Sequence, residues 1–322
     1  FRNGSNSYLL NSLHAYAARF PGQLPQYFVE GLSSPGETLL DPMAGSGVSL
    51  VEGWLLSRNV IGVDLDDLAV RLCKAKTTPM EPQIVRMAGQ RVVDTALLVS
   101  SMGDPLGQVL AKLTKETRVF IDYWFTPQVQ KEVAALVLAI REEKDPRLRL
   151  LLEVLLSSII VTKSGGVSMA RDLAHSRPHR VSSKTPRSAI KMFQVQVQRA
   201  VQAFQQIRNM PTGNSLVLRG DSRFLPLGSN SVDLIVTSPP YANALDYVRA
   251  HKFSLVWLGE PVERLSRLRG HYIGAERWRE IEGVLLPGSV QHTISALAAK
   301  DPQKGRVLDR YLRDMTLALR EM

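Results

Sequence analysis

The stretch TLLDPMAGSG, residues 38–47, is the most informative local pattern in this chain. Its first residues are mostly apolar and predict a short strand, and the glycines after Pro42 predict a tight turn. Residues 48–56 then have helical periodicity, and residues 59–64, NVIGVD, predict a second buried strand that ends in an acid. This strand, glycine turn, helix and strand form a βαβ unit, which predicts a parallel sheet with right-handed crossovers.

The rest of the chain divides into three parts by the same patterns. Residues 1–76 contain the βαβ unit and a further helix from about 68 to 76. Residues 77–210 are mostly helical by pattern, with helices predicted at 92–100, 129–141, 147–160 and 187–210. The α/β pattern resumes in residues 211–322, where 215–218 and 232–236 predict strands that end in polar residues and the last helix falls near 307–322. We therefore expect an α/β core interrupted by a large helical insertion.

Composition limits the classes of function. The 322 residues are 44% hydrophobic and 22% charged, which is typical of a globular protein. Forty Lys and Arg against thirty Asp and Glu give a net charge of +10, so polyanions are the first partners to consider. A single cysteine excludes a disulfide framework and a cysteine-based zinc site, predicts no metal centre, and fits a cytoplasmic location. The most apolar run, 148–161, is interrupted by polar residues and is too short to span a bilayer, so we expect no membrane association.

The glycine turn predicts a ligand site. A glycine-rich turn at the carboxyl end of a strand places backbone N–H groups and a helix N-terminus beside a ligand. Asp41 can accept a hydrogen bond from an ammonium group, and Asp64 ends the next strand, where an acid can bind ribose hydroxyls. The spacing differs from the dinucleotide and P-loop patterns, which favours a nucleoside carrying an amino acid over nucleotide phosphates. A tight turn without a ligand is the alternative interpretation.

A second turn, Thr237-Ser238-Pro239-Pro240-Tyr241, follows a buried strand. Consecutive prolines cannot continue a central strand, so they predict a stiff, extended turn. A hydroxyl, a carbonyl and an aromatic ring then leave the sheet together and suit a planar heterocycle with an exocyclic amine. Ser238 Oγ and the Pro239 carbonyl would accept the amine protons, and Tyr241 would stack on the ring. The alternative is a proline-rich loop with a core tyrosine, which the glycine turn on the same sheet edge makes less favourable.

Together the two turns resemble the amino-group DNA methyltransferases that use S-adenosylmethionine. The Ser-Pro-Pro-Tyr form is typical of the cytosine-N4 branch, whereas the adenine-N6 branch more often has Asp or Asn in place of Ser238. The segment HAYAARFP, residues 14–21, is similar to the one that closes over the methionine end of the cofactor. Gly220-Asp221-Ser222 resembles the acidic strand end near the adenine. These motifs lie within residues 8–76 and 214–250, about a third of the chain.

The resemblance implies a fold and a set of site residues. The fold is a Rossmann-like, three-layer αβα methyltransferase core, with residues 1–76 as its cofactor-binding half and 211–322 as its catalytic half. Residues 77–210 are then the insertion and a candidate DNA-recognition region. The implied catalytic residues are Ser238, Pro239, Pro240 and Tyr241. The implied cofactor-binding residues are Tyr16, Arg19, Phe20, Asp41, Pro42, Ala44, Gly45, Ser46, Gly47, Asp64, Asp221 and Ser222.

The predicted sheet is smaller than that of the family. The sequence predicts four strands, and Leu285-Leu286 is the only other apolar pair placed to begin one. Residues 232–236 would then form a hydrophobic strand on an open edge, which risks aggregation. We therefore expect an incomplete catalytic domain, whose missing strands lie on a further C-terminal segment or on a partner chain.

The chemistry follows from the catalytic turn. An aromatic amine is a weak nucleophile because its lone pair is delocalised into the ring, and hydrogen bonds to Ser238 and the Pro239 carbonyl would free that lone pair for attack on a methyl group. Positioning and electrostatics would supply most of the acceleration. Methylation of cytosine C5 would require a thiolate instead. Cys73, the single cysteine, lies far from Ser238 in sequence and is better explained as a packed helix residue.

A base inside a duplex must be flipped out before its amine can react. Contacts to the DNA backbone are expected from the basic segment that contains Arg171, Arg177, His179, Arg180 and Lys184. A solvated loop is an equally good explanation of that segment. Tyr123-Trp124-Phe125 could act as a wedge in the duplex, although a core cluster is favoured.

The sequence therefore predicts a site-specific, S-adenosylmethionine-dependent DNA methyltransferase that acts on double-stranded DNA, with cytosine N4 as the favoured target. Adenine-N6 methylation of DNA, or methylation of an RNA amine, is the first alternative. A cofactor-binding or DNA-binding subunit that needs a partner for catalysis is the second. A restriction or defence system is the expected setting.

Overall fold

The computed structural model describes residues 9–162, 166–171, 178–242, 247–274 and 283–322. A short 3-10 helix, Leu9–Ser12, precedes the first α-helix. The helices of the described residues are α1 Gln23–Leu32, α2 Val48–Leu55, α3 Asp67–Lys76, α4 Pro82–Met102, α5 Pro105–Leu110, α6 Lys115–Trp124, α7 Pro127–Arg141, α8 Pro146–Ile160, α9 Ala189–Ile207, α10 Tyr247–Leu255, α11 Val262–Leu268, α12 Gly288–Lys300 and α13 Pro302–Glu321. The strands are β1 Thr38–Asp41, β2 Asn59–Asp64, β3 Ala170–Arg171, β4 His179–Arg180, β5 Ser215–Arg219 and β6 Leu234–Ile235.

Four of these strands form one parallel sheet in the order β5-β2-β1-β6. The strand order changes direction at β1, which lies between β2 and β6, and each connection between neighbouring parallel strands crosses over the sheet. Leu39 of β1 pairs with Val60 on one side and with Leu234 on the other. All four carboxyl ends therefore meet at one edge, and the sheet confirms the predicted Rossmann-like α/β fold with its helical insertion.

The sheet has an open side at β6. Within the described ranges, Leu234 and Ile235 pair with β1 and with no other strand. The strand predicted at 232–236 is thus shorter than expected, and Leu285-Leu286 lies outside every strand of the described residues. The expectation that additional strands come from elsewhere stays a prediction.

The predicted insertion consists mainly of helices α4 to α9. Helix α4 packs against α7 and α9, and α9 also packs against α8. Helices α4 and α9 approach each other closely at Gly89, where a Cβ atom would lie only 2.3 Å from Cγ1 of Val197. The strands β3 and β4 form a separate antiparallel hairpin between α8 and α9. No helix among the described residues is both long and apolar enough to cross a membrane.

Helix α10 joins the insertion to the α/β core. Phe253 on α10 packs against Phe120 and Trp124 of α6, with ring centroids 5.1 and 4.8 Å apart. Trp257 packs edge-on against Phe125 at 5.4 Å. Phe125 is therefore a core residue, as the core interpretation predicts, Trp124 is partly buried against the core, and Tyr123 is 55% exposed.

Candidate functional site

A cavity of about 300 Å³ lies at the carboxyl edge of the sheet. Its lining comes from segments that follow all four parallel strands and from segments far from them in sequence. The sequence-predicted residues that line it are Tyr16, Arg19, Phe20, Asp41, Pro42, Ala44, Gly45, Ser46, Asp64, Asp221, Ser222, Ser238 and Pro240. Three predicted residues do not line it, namely Gly47, Pro239 and Tyr241. The structure thus brings the two turns together on one rim.

The glycine turn has the backbone that its sequence requires. Gly45 and Gly47 have φ of 51° and 75°, in the left-handed region that favours glycine. A Cβ atom at Gly47 would lie 2.8 Å from Cys73 Sγ, so packing against α3 constrains this glycine. Gly45 instead lies beneath the ring of Tyr16, and its Cβ would be 3.4 Å from that ring. Cys73 is fully buried, as predicted for a packed helix residue, and burial raises the pKa of its thiol.

A buried lysine supports this turn from below. Lys76 ends α3, is fully buried, and donates a hydrogen bond from Nζ to the Ser46 carbonyl at 2.7 Å. Burial lowers the pKa of Lys76 to about 8. The sequence gives little sign of this contact, because a lysine in the last turn of a helix usually faces solvent.

Two strand-end acids have raised pKa values. Burial raises the pKa of Asp41 to about 6, against the opposing effect of the Thr237 and Ser49 hydroxyls. Burial likewise raises the pKa of Asp64 to about 7, and nearby Asp66 adds to the shift. The Asp64 carboxylate accepts from the Gly45 N–H at 2.7 Å and from the Asp66 N–H at 2.8 Å. Asp64 therefore holds the glycine turn in place as well as lining the cavity.

Asp66 connects three parts of the cavity and was missed by the sequence analysis. It caps α3 by accepting from the N–H groups of Leu68 and Ala69. Its other oxygen, Oδ2, lies 3.0 Å from His251 Nδ1 on α10 and accepts from the Tyr272 hydroxyl at 3.1 Å. Burial alone would raise the pKa of Asp66, but His251 and these hydrogen bonds hold it below its ordinary value. An Asp directly before a predicted helix was the available signal, although it indicates only the cap.

The segment HAYAARFP packs against α10 and the insertion. The ring of Tyr16 stacks on Tyr247 at 5.3 Å and also contacts His251 at 5.2 Å. His14 is buried, with Nδ1 2.7 Å from the Ala15 carbonyl and Nε2 2.8 Å from Ser157 Oγ of α8. Burial lowers the pKa of His14 to about 3, so the imidazole is neutral, and Nδ1 donates to the carbonyl.

The Ser-Pro-Pro-Tyr turn forms the opposite wall. Ser238 and Pro240 line the cavity, while the Tyr241 side chain is 63% exposed at its rim. Gly274 packs against the backbone of Tyr241, since a Cβ on Gly274 would lie 2.7 Å from the Tyr241 carbonyl oxygen. Gly274 belongs to a segment, Arg269 to Gly274, that lines the cavity with the exception of Gly270. The sequence contained no local motif that identified this segment.

The third acid, Asp221, is held by an arginine. Arg223 Nε donates to Asp221 Oδ1 at 2.9 Å, and Nη2 donates to Oδ2 at 2.5 Å. Burial opposes ionisation, but these hydrogen bonds keep the pKa of Asp221 below its ordinary value. Ser222 is buried beside it and also lines the cavity.

The basic segment lies away from the cavity lining. Arg171 and His179 face each other in the β3–β4 hairpin. The Arg180 guanidinium lies 5.4 Å from the centroid of the Tyr123 ring, and its Nε donates to the Tyr123 carbonyl at 2.8 Å. Lys184 Nζ donates to the carbonyls of Ser168 and Ala170, and burial lowers the pKa of Lys184 to about 8. Arg177 falls outside the described residues. In the part of the chain that the structure covers, no cluster of His, Cys, Asp or Glu could hold a metal ion.

Comparisons with known proteins find similarity to DNA methyltransferases. Residues 2–75 match the N6/N4 methyltransferase family, described as DNA methylase. The type II methyltransferase M.MvaI of Kocuria varians is 24% identical over 91% of this chain and 65% of that protein. M.BsoBI of Geobacillus stearothermophilus is 22% identical over 95% of this chain and 70% of its own length. The type II methyltransferase M.MjaII of Methanocaldococcus jannaschii is 30% identical over a shorter match, 21% of this chain.

The chain spans about two thirds of the length of the first two relatives, at 65% and 70%. No solved structure matches it significantly. The family match covers the glycine turn and both strands of the βαβ unit, and the two long matches extend through the Ser-Pro-Pro-Tyr turn. Together these matches support an amino-group DNA methyltransferase of the N4/N6 family.

Proposed function

We propose that this protein transfers a methyl group from S-adenosylmethionine to an exocyclic amine of a flipped DNA base, and that the amine is cytosine N4. The observation that carries the proposal is the single cavity that Gly45 of one turn and Ser238 of the other both line. One methyl group can cross between two ligands only where their sites adjoin.

The residues around the glycine turn suit the cofactor. Gly45 lets a ligand approach the backbone, and Asp41 and Asp64 supply acceptors for ammonium and hydroxyl groups. Asp221 supplies an acceptor at the end of β5, where the adenine amine would lie. Tyr16, Arg19 and Phe20 would enclose the methionine end, and the cavity volume of about 300 Å³ is within the range of ligand sites. When bound, S-adenosylmethionine supplies an activated methyl group on a sulfonium centre.

The catalytic turn would hold the base. Ser238 Oγ and the Pro239 carbonyl accept the two protons of the amine, which directs its lone pair toward the methyl group. The exposed Tyr241 ring offers a surface on which the flipped base can stack, worth about 1–3 kcal/mol against an unstacking cost of a few kcal/mol. Pro240 would restrict the turn to an extended conformation. The amine proton becomes acidic only after transfer, so no strong base is required beforehand.

Cytosine N4 is preferred because a serine begins the Ser-Pro-Pro-Tyr turn. A restriction-modification setting is suggested by the two long relatives, which are named type II methyltransferases. The basic residues Arg171, His179 and Arg180 are proposed to contact the DNA backbone, together with Arg177 and Lys184. In this proposal residues 77–210 hold the duplex, while 1–76 and 211–322 hold the cofactor and the base.

The direct test is transfer of a labelled methyl group from S-adenosylmethionine to DNA, followed by identification of the methylated nucleoside. Ser238→Ala should reduce the transfer rate by about 10²-fold and leave cofactor affinity unchanged, because it removes an acceptor needed only in the transition state. Ser289→Ala, at an exposed position on α12, is the matched control. Full activity of Ser238→Ala would contradict the proposed role.

The same assay separates the alternatives. N6-methyladenine as the product would keep the amine chemistry and overturn the cytosine preference. Competition by unlabelled RNA but not by DNA would favour an RNA substrate. A purified chain that binds the cofactor, and methylates only after a second protein is added, would instead support a subunit that needs a partner for catalysis.

A further inference from the structure

Helix α13 carries a buried carboxylate close to the edge of the cavity. Asp314 is fully buried and does not line the cavity. Its Oδ1 accepts a hydrogen bond from Arg223 Nη1, and Arg223 is itself only 7% exposed. The other side of the same guanidinium binds Asp221, which does line the cavity. Arg223 therefore donates hydrogen bonds both to the buried carboxylate of Asp314 and to the carboxylate of Asp221, which lines the cavity.

A second arginine, Arg310, lies on α13 itself and contacts a neighbouring part of the cavity wall. Arg310 is 4% exposed, and its Nε lies 3.5 Å from Asp314 Oδ2. Its Nη2 donates to the Gly270 carbonyl at 2.6 Å, while Arg223 Nη2 donates to the His271 carbonyl at 2.9 Å. Both carbonyls belong to the segment 269–274. The two arginines and Asp314 thus tie α13 to two separate parts of the cavity wall.

The charges explain why Asp314 matters to Asp221. The network holds two arginines and two carboxylates, so it is balanced only when both acids are present. Asp314 takes one Arg223 nitrogen and leaves Nε and Nη2 for Asp221. Asp221 Oδ2 accepts one hydrogen bond from Arg223, and a carboxylate oxygen can accept a second. Without Asp314, the guanidinium would lose its contact on Nη1 and keep only those to Asp221 and the His271 carbonyl, so its orientation, and that of the Asp221 carboxylate, would be less restricted.

We propose that Asp314 is a positioning residue that, through Arg223, orients the Asp221 carboxylate to accept a hydrogen bond from the exocyclic amine of the cofactor's adenine. This inference rests on the proposed function, because it assigns the ligand of that same cavity. Asp314 touches neither ligand nor cavity, and it acts only by holding the arginine.

The test compares two ligands that differ at the amine. S-adenosylhomocysteine carries the adenine amine, and S-inosylhomocysteine carries a carbonyl in its place. Their affinities are measured by isothermal titration calorimetry on the full chain. Wild-type protein should prefer the adenosyl ligand by tenfold or more, because the inosyl ligand lacks the donor of one hydrogen bond to a charged acceptor.

Asp314→Asn should reduce this preference to about threefold or less, and should leave the affinity for the inosyl ligand within about twofold of wild type. Asp309→Asn is the matched control, since Asp309 lies on the same helix in a partly exposed pair with Arg313 and does not line the cavity. Thermal unfolding checks that the variant is folded. If Asp314→Asn does not fold, Arg223→Lys retains the positive charge, loses the two-pronged contact with Asp221, and should show the same loss of preference.

The outcomes distinguish the two proposals. Failure of the wild-type protein to bind either ligand would refute the proposed cofactor site, and this inference with it. Wild-type binding with an unchanged preference in Asp314→Asn would overturn the inference alone. Equal weakening of both ligands in that variant would show a general structural role, and would overturn it as well.

Discussion

Glu52 is a buried carboxyl group that links the stability of the N-terminal segment to pH. It lies on α2, is 1% exposed, and accepts a hydrogen bond from Asn11 Nδ2 at 2.9 Å through Oε1. Its other oxygen, Oε2, is buried and has no hydrogen-bond partner among the residues that the structure describes. Burial raises the pKa of Glu52 to about 8, although the bond from Asn11 opposes the shift. The carboxyl group is therefore neutral in the folded protein at pH 7.

The sign of the pH dependence follows from that shift. The ordinary pKa of 4.5 applies to the unfolded chain, so between pH 4.5 and about 8 the folded state holds a proton that the unfolded state has lost. Stability contributed by this group is complete below pH 4.5 and is lost as the pH rises through 8. Each pH unit in this window costs about 1.4 kcal/mol, which gives about 3 kcal/mol between pH 6 and pH 9.

Glu52→Gln tests this directly, because glutamine keeps the shape of the neutral acid and does not titrate. We expect the variant to gain about 3 kcal/mol in unfolding free energy relative to wild type between pH 6 and pH 9. Urea unfolding at pH 6 and pH 9 measures the unfolding free energy of both proteins. Subtracting the wild-type value from that of the variant at each pH cancels the contribution of the other titrating groups. Glu142→Gln, at an exposed position after α7, should show no such gain. An equal difference between wild type and Glu52→Gln at both pH values would refute the reasoning.

Three further predictions follow from the site. Gly47→Ala should destabilise the protein by about 2–4 kcal/mol in thermal unfolding, because it adds a clash with Cys73 to the cost of a positive φ. The control Gly36→Ala, with φ of 90° and open space around it, should destabilise it by only about 1–2 kcal/mol. Because burial raises the pKa of Asp64 to about 7, affinity for S-adenosylhomocysteine should rise about tenfold from pH 6 to pH 8, and Asp64→Asn should flatten this profile in calorimetry. His251→Leu leaves a buried carboxylate without its imidazole partner and should cost about 3 kcal/mol in unfolding free energy, unlike the same change at an exposed histidine on α12.

The two turns could be predicted from the sequence because their causes are local. Glycine permits the positive φ of the turn after β1, and consecutive prolines end β6, whatever the rest of the chain does. The hydrophobic runs at 38–41, 59–64 and 215–218 gave three strands nearly to the residue. A parallel sheet then brings the ends of those strands to one edge, so the shared cavity followed from topology alone.

The remaining walls of the cavity depend on contacts between distant residues. Lys76 reaches the Ser46 carbonyl only because α3 packs beneath the glycine turn, and its sequence context does not differ from that of a surface lysine. Tyr272 is placed by Asp66, 206 residues earlier in the chain. Gly47 shows the converse, since its motif predicted a ligand contact and the structure gives it packing against Cys73. Local patterns carry no information about such pairs.

Helix α10 explains why the insertion and the cavity form one unit. At its N-terminal end, Tyr247 stacks on Tyr16 and lines the cavity. Near its C-terminal end, Phe253 packs against Phe120 and Trp124 of the insertion. Tyr247 and Phe253 are six positions apart in a helix of nine residues, and a helix transmits a shift at one end to the other because its backbone hydrogen bonds resist bending. The β3–β4 hairpin is attached to the same cluster, since the N–H of Met169 donates to the Trp124 carbonyl at 2.8 Å. Aromatic packing around α10 therefore links the β3–β4 hairpin to the cavity wall at Tyr247, and under the proposed function it would couple the insertion that holds the duplex to the site of methyl transfer.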